Sequence, residues 1–167
     1  MIFTFGVEVL GAGHARDGFS CGAAALDSYF ARQAAQDVRR RASACYVAVE
    51  THSGNVAGYY TLAAGGVPLI DLPEMMTMRL ARYRSVPVAR VGRLAADGAF
   101  HGQKPAGALL ADAAVRAARF EVAVVALVVD AKDEAAETFY CHHGFEGFGT
   151  QSRRLIVLLK HFEREAE

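Results

Sequence analysis

The chain has only three cysteines and three lysines, and its longest apolar run is the eight residues from Val122 to Val129. Each scarcity excludes something. Cys21, Cys45 and Cys141 are odd in number and form no Cys-x-x-Cys pair, so neither a disulfide framework nor a zinc cluster is indicated, and the cytoplasm is the expected compartment. Eight apolar residues fall far short of the roughly 20 that a membrane helix needs. No basic segment precedes an apolar stretch at the N-terminus, so a soluble, unexported protein with no membrane partner is expected.

The shortage of lysine is matched by 15 arginines. Arginine suits forked contacts to phosphate, although an Arg-rich composition gives the same count without any such role. A net charge of zero also conceals an imbalance of position. Residues 32 to 93 hold nine arginines and four acids, net +5, and the remainder carries net −5. The first half is thus better suited to a polyanion. With 167 residues, 53% hydrophobic and 22% charged, the chain is expected to form one folded domain, 1–167, with a substantial core.

Periodicity then orders the elements. In "FSCGAAALDSYFARQAAQDVRRRAS", Leu26, Tyr29, Phe30, Ala34 and Val38 make a helical stripe, predicting one long amphipathic helix with Ser20 near its cap and Arg39 to Arg41 at its end. Those arginines complement the helix dipole or bind phosphate; the pattern leaves both open. "ACYVAVE" and "NVAGYYTLAA" predict a hairpin across "THSGN". Between prolines, "EMMTMRLARYR" predicts a short helix presenting Arg79, Arg82 and Arg84, its methionines serving as packing. "VARVGRLAAD" predicts a strand ending at Asp97. "AGALLADAAVRAARF" predicts a helix with Leu109, Leu110, Ala113 and Ala117 buried and Asp112, Arg116 and Arg119 outward. "VAVVALVVDA" predicts a strand covered on both faces, "DEAAETFYCHHG" a helix ending at Gly144, and "SRRLIVLLKH" a last strand. The order is that of an α/β protein with a central mixed sheet. Its strand-loop-helix at 88 to 119 is the natural anion site, because helix N-termini offer unpaired N–H groups.

"AETFYCHHGF", Ala136 to Phe145, carries the Ala-x-x-Phe-Tyr-x-x-x-Gly-Phe pattern of the GNAT family of acyl-CoA-dependent N-acetyltransferases, which the chain resembles. "FSCGAAALDSYF", "AGYYTLAAGGV", "VPVARVGRLAAD" and "ALLADAAVRA" narrow the resemblance to the GNAT toxins of bacterial toxin-antitoxin pairs, over about residues 19 to 160. It implies the GNAT fold, acetyl-CoA as co-substrate without a metal, and acetylation of the α-amine of aminoacyl-tRNA, which blocks translation. It also implies a ribbon-helix-helix antitoxin and a homodimer. Two alternatives stay open: an acetyltransferase of protein N-termini or small amines, and a GNAT-shaped module that binds antitoxin or nucleic acid without catalysis.

Acetyl transfer needs an unprotonated amine, oxyanion stabilisation and a proton for the departing thiolate. By correspondence with the family, Tyr140 is the proton donor, and a phenol with a reference pKa near 10 is protonated at neutral pH. An aminoacyl α-amine titrates near neutrality, so no catalytic carboxylate is required. Cys141-His142-His143 is expected to be helix-end packing and solvent-facing surface rather than a metal site. The resemblance assigns the pantetheine-pairing strand to Leu94, Ala95 and Ala96, and the phosphate loop and helix start to His101, Gly102, Gln103, Lys104, Ala106, Gly107 and Ala108. Lys104 stands where the family's first motif glycine belongs, and Pro105 removes one N–H from the cradle. Arg93 is a candidate for the acceptor side, with an inward arginine paired to an acid as the structural alternative. Arg39, Arg40, Arg41, Arg79, Arg82, Arg84 and Arg90 make a candidate tRNA track. Tyr59 and Tyr60 face opposite ways, so at most one can stack near the site.

Overall fold

The computed structural model describes residues 5–78, 80 and 83–165. Its strands are β1 (Phe5–Val9), β2 (Ala44–Glu50), β3 (Val56–Pro68), β4 (Ser85–Ala96), β5 (Ala126–Asp130), β6 (Glu146–Gly147) and β7 (Arg154–Leu158). The helices are α1 (Ala24–Arg32), α2 (Ala34–Arg39), α3 (Glu74–Thr77), α4 (Pro105–Ala118), α5 (Glu134–His142) and α6 (Leu159–Glu165). Seven strands form one mixed sheet in the order β1-β2-β3-β4-β5-β7-β6, with β4 and β5 parallel. This is the mixed α/β architecture expected. Its residues cluster into two compact units, one of Met1–Ala63 with Gly92–Ala113 and the other of Ala64–Val91 with Ala114–Glu167.

In the first unit the predicted hairpin is present: β2 and β3 pair antiparallel from Ala44↔Leu62 to Val49↔Val56. Glu50 closes its turn, accepting from the Ser53 amide (2.6 Å), the Ser53 hydroxyl (2.5 Å) and the His52 amide (3.1 Å). The core gathers Phe19, Tyr29, Phe30, Cys45, Tyr59 and Ala95, with the Phe30 and Tyr59 rings stacked at 4.3 Å. Burial pushes the Cys45 thiol up to about 12, so it stays protonated and inert. The expected helical stripe is buried or half-buried, but the single helix is two. Gln33 interrupts it, and the cap position is Ala23 rather than Ser20. Ser20 instead gives its amide to Asp97. Strand β1 was not legible, because the sheet-edge segment "FGVEV" is largely exposed and carries no alternation.

Tyr59 and Tyr60 are both core. The Tyr59 hydroxyl donates to the Leu26 carbonyl (2.7 Å) and that of Tyr60 to Asp112 (2.6 Å). Asp112, expected to face outward, is therefore drawn in as an acceptor for a buried phenol. Between the tyrosines and the helix, Gly58 does what no side chain could: a Cβ there would lie 2.7 Å from Leu109 Cδ1 and 2.8 Å from the Ala95 carbonyl oxygen. The bare backbone lets α4 and β4 close on β3.

In the second unit Val67, Leu72, Met76, Val88, Val128 and Ile156 are among the core residues. Strand β5 has four consecutive buried residues, as expected of a strand covered on both faces, but it starts at Ala126. Val122 is 80% exposed and lies outside it. The short helix between the prolines reaches only Thr77, and Met75 and Met78 are exposed while Met76 alone of the three packs inward. The last strand ends at Leu158, where α6 follows.

Two outcomes test this packing. Gly58→Ala should lower the unfolding free energy by about 1–3 kcal/mol, the usual range for overpacking, in urea denaturation at unchanged m-value. The Ser53 bonds hold the Glu50 carboxyl below its ordinary range, so Glu50 stabilises the fold above the unfolded-state pKa and ceases to as pH falls through the lower folded one. Thermal unfolding of Glu50→Gln from about pH 3 to about pH 7, a range that brackets the Glu reference pKa of about 4.3, should show a shallower loss than the parent.

Candidate functional site

The end of β4, its loop and most of α4, residues 92–113, form a continuous strand-loop-helix in the first unit. Pairing of β4 with β5 covers Val88 to Val91, and Arg93, Leu94 and Ala96 beyond it are half-buried while Ala95 is buried. Asp97 ties down the turn that follows. Its carboxylate accepts from the Ala99 amide (2.9 Å) and the Ser20 amide (3.0 Å), and its own amide reaches the Ala57 carbonyl (2.8 Å). A 3-10 turn spans Gly98–Gln103, and within it His101 Nε2 lies 3.2 Å from the Ala96 carbonyl oxygen. The imidazole therefore links the loop back to the strand.

Lys104 ends this turn at φ 53, ψ 51, in the left-handed region. The family's glycine position thus retains a glycine conformation although the residue is lysine, at a cost of roughly 1–2 kcal/mol for an L-residue. Pro105 is buried as the first residue of α4, where its missing N–H would have no intrahelical partner and its fixed φ suits the helix. Of the four N–H groups that an α-helix leaves open, Lys104 uses its own on the His101 carbonyl and Pro105 has none. By helix geometry that leaves Ala106 and Gly107, while the Ala108 amide belongs to the helix ladder. Gly102 and Gln103 are exposed. A Cβ at Gly102 would meet nothing within 4 Å, so sterics do not demand glycine there.

Among the described residues Arg93 has no ion pair with an acid. Its guanidinium lies 3.5 Å over the centre of the Tyr29 ring, and the Tyr29 hydroxyl donates to Asp37 (2.7 Å). Sequence reasoning missed this pair because 64 positions separate the two residues and no local pattern joins them.

Tyr140 belongs to the second unit. Asp133 caps α5 by accepting from the Ala136 amide (2.8 Å), and after the helix stops at His142 the chain turns away through Gly144 at φ +94. A side chain at Gly144 would be strained, and its Cβ would fall 2.5 Å from His161 Nε2, which gives the motif glycine its reason. Phe139 and Phe145 meet the Tyr140 ring edge-on at 5.2 and 5.3 Å. Burial to 5% exposure raises its pKa well above the ordinary value, because a phenolate there would lose its hydration. Among the described residues its hydroxyl has no hydrogen-bond partner. Cys141 and His142 are exposed and His143 packs on Phe139 at 4.7 Å.

The candidate basic residues have unlike surroundings. Arg39, Arg40 and Arg41 are exposed together at the end of α2, with Arg41 at φ 59. Arg90 is bonded to Asp130 (3.0 Å), which Arg154 also contacts (2.9 Å). Arg84 is exposed and lines an open hollow of about 670 Å³ beside Ile70 and Tyr83. Arg79 and Arg82 lie outside the described residues. Among the described residues no group of three or more His, Cys, Asp or Glu is placed to hold a metal, and no helix is long and apolar enough to cross a membrane.

A strand that hands its chain through a clamped loop to a helix N-terminus, with a Phe-Tyr motif on a later helix, is the arrangement of GNAT acetyltransferases. No protein-family profile matches the chain. A tRNA-acetylating toxin of Mycobacterium tuberculosis (strain ATCC 25618 / H37Rv) is 33% identical over 144 residues, covering 85% of this chain and 84% of that protein. The chain belongs to the family of tRNA-acetylating GNAT toxins. The solved structure of AtaT complexed with acetyl-methionyl-tRNAfMet is 28% identical with a TM-score of 0.88, covering 98% of this chain and 100% of that one. A mutant AtaT toxin bound to the C-terminus of the antitoxin AtaR and acetyl-CoA is 25% identical with a TM-score of 0.81, covering 97% and 98%.

Lys104→Gly should stabilise the fold by about 0.5 kcal/mol, the relief of left-handed strain less the roughly 0.5–1 kcal/mol of added unfolded-state entropy. Differential scanning calorimetry measures it, and a lower melting temperature would show that the lysine side chain anchors the loop.

Proposed function

We propose that this chain is a single 1–167 acetyltransferase domain, acting in the cytoplasm as the toxin of a toxin-antitoxin pair. It transfers acetyl from acetyl-CoA to the α-amine of aminoacyl-tRNA, works as a homodimer and is restrained by a ribbon-helix-helix antitoxin. The observation that carries this reading is the likeness, over 85% of the chain, to a tRNA-acetylating toxin. The clamped strand-loop-helix supports it.

The loop fits a phosphate-bearing co-substrate. It keeps the left-handed turn, two open amides at Ala106 and Gly107, and a cation at Lys104 in place of the amide dipole lost at Pro105. Acetyl-CoA supplies an activated acyl group as a thioester. In transfer the amine nitrogen bonds the acyl carbon, the C–S bond breaks, the amine sheds a proton and sulfur gains one. Leu94, Ala95 and Ala96 would hold the pantetheine arm through main-chain groups and polarise the thioester carbonyl. Tyr140 holds a proton on its phenol, and burial keeps it there. The α-amine, with a reference pKa near 7.7–8.0 lowered by its ester, needs no protein base. His101 orders the loop through the Ala96 carbonyl. Arg39, Arg40, Arg41, Arg84 and Arg93 remain the candidate tRNA contacts, with Arg79 and Arg82 proposed from sequence alone. Arg90 is a weaker candidate, since Asp130 already neutralises it.

Incubation with acetyl-CoA and mixed aminoacyl-tRNA tests the reading directly; no transfer to any isoacceptor at high enzyme concentration would sink it. Tyr140→Phe should lower kcat by about 100-fold or more, the scale of general acid catalysis, and relieve growth arrest on expression. Because burial raises the Tyr140 pKa, activity should rise through the amine's titration and show no falling limb from this group below about pH 10. For Lys104→Gly, calorimetry should show acetyl-CoA binding weakened by about three- to tenfold, more at low salt, as expected for loss of a partly exposed charge contact.

A further inference from the structure

Half-buried arginines elsewhere in this chain have oxygen partners: Arg90 and Arg154 share Asp130, and Arg16 donates to the Phe30 carbonyl. Arg93 is also half-buried, yet among the described residues its guanidinium makes no hydrogen bond or ion pair. What it has is an aromatic shelf. Tyr29 is buried, its ring runs nearly parallel to that of Tyr59 at 6.4 Å, and its hydroxyl is fixed on Asp37. A cation over such a ring is held in plane by the ring quadrupole, leaving the N–H edge of the fork unspent. A charge drawn from water with open donors is a receptor for an oxyanion, and a planar fork matches the paired oxygens of a phosphate.

The geometry points to Tyr29 and Asp37 as positioning residues that hold Arg93 ready to take a phosphodiester near the 3′ end of the acceptor tRNA. This rests on the reading above. Phosphate could also come from acetyl-CoA, but the loop proposed for the cofactor phosphates follows Ala96, three residues and about 10 Å further along the extended strand. Arg93 therefore sits toward the acceptor.

The test uses the full chain, with uncharged tRNA binding followed by anisotropy across a salt series, acetyl-CoA binding by calorimetry, and acetyl transfer assayed separately. Arg93→Gln should weaken tRNA binding about tenfold and flatten the salt slope by about 0.7–0.9, the signature of one lost phosphate contact, with acetyl-CoA affinity unchanged. Arg93→Lys should restore the slope. Tyr29→Leu, which leaves the charge but removes the shelf, should weaken tRNA binding about fivefold, and Asp37→Asn about twofold, both modest because Arg93 keeps its charge. If Tyr29→Leu fails to fold, Asp37→Asn decides the positioning role. An unchanged slope in Arg93→Gln overturns the phosphate contact, since a merely structural role would not move it. Selective loss of acetyl-CoA affinity assigns the anion to the cofactor and overturns the acceptor contact. Wild-type affinity in both shelf variants overturns the positioning. Binding with the expected slopes but no acetyl transfer defeats the functional reading and leaves the anion site standing; a parent protein that binds no tRNA defeats both.

Discussion

The close approach at Gly58 is the constraint on which the site depends. Leu109 and the Ala95 carbonyl both occupy the space a side chain would need, so the bare backbone of β3 lies directly against the β4 backbone and the Leu109 side chain of α4. From that contact the rest follows in order. With α4 fixed, its N-terminus is fixed; with β4 fixed, Asp97 can reach both Ala99 and Ser20; and the loop between them has little room to choose another path. Apolar burial supplies the driving force here, but a missing methyl sets the geometry.

The residues proposed for the chemistry have different surroundings in each unit. The first has polar clamps around a loop: Asp97, His101 and the Tyr29–Asp37 pair. The second carries Tyr140 in an apolar setting of Phe139 and Phe145, where a phenol remains a phenol. A clamp needs hydrogen-bond partners, whereas the proton donor proposed at Tyr140 needs their absence from its charged form, and the two requirements call for opposite surroundings.

Much of this was legible in the sequence wherever signals are local. The α5 helix announced itself through Asp133 and Gly144, the hairpin through Ser53 and Gly54, and the family through its Phe-Tyr motif. The break at Gln33 was not, because the apolar stripe continues across it and only tertiary packing favours two helices. Nor was β1, whose edge position frees it from alternation. Among site residues, the lysine and proline in the loop were seen as departures, and the structure explains how each is tolerated: Pro105 starts the helix and Lys104 takes the left-handed turn. The Arg93 shelf was invisible, since cation–π contacts between distant residues leave no periodic trace.

Lys104 carries one more consequence. A residue held in a conformation it disfavours, between a carboxylate clamp at Asp97 and a helix start at Pro105, shows that the loop takes its shape when the chain folds rather than when a ligand arrives. For the co-substrate proposed for this loop, little conformational entropy then remains to be lost on binding, and its association becomes a matter of encounter instead of a search for the right loop.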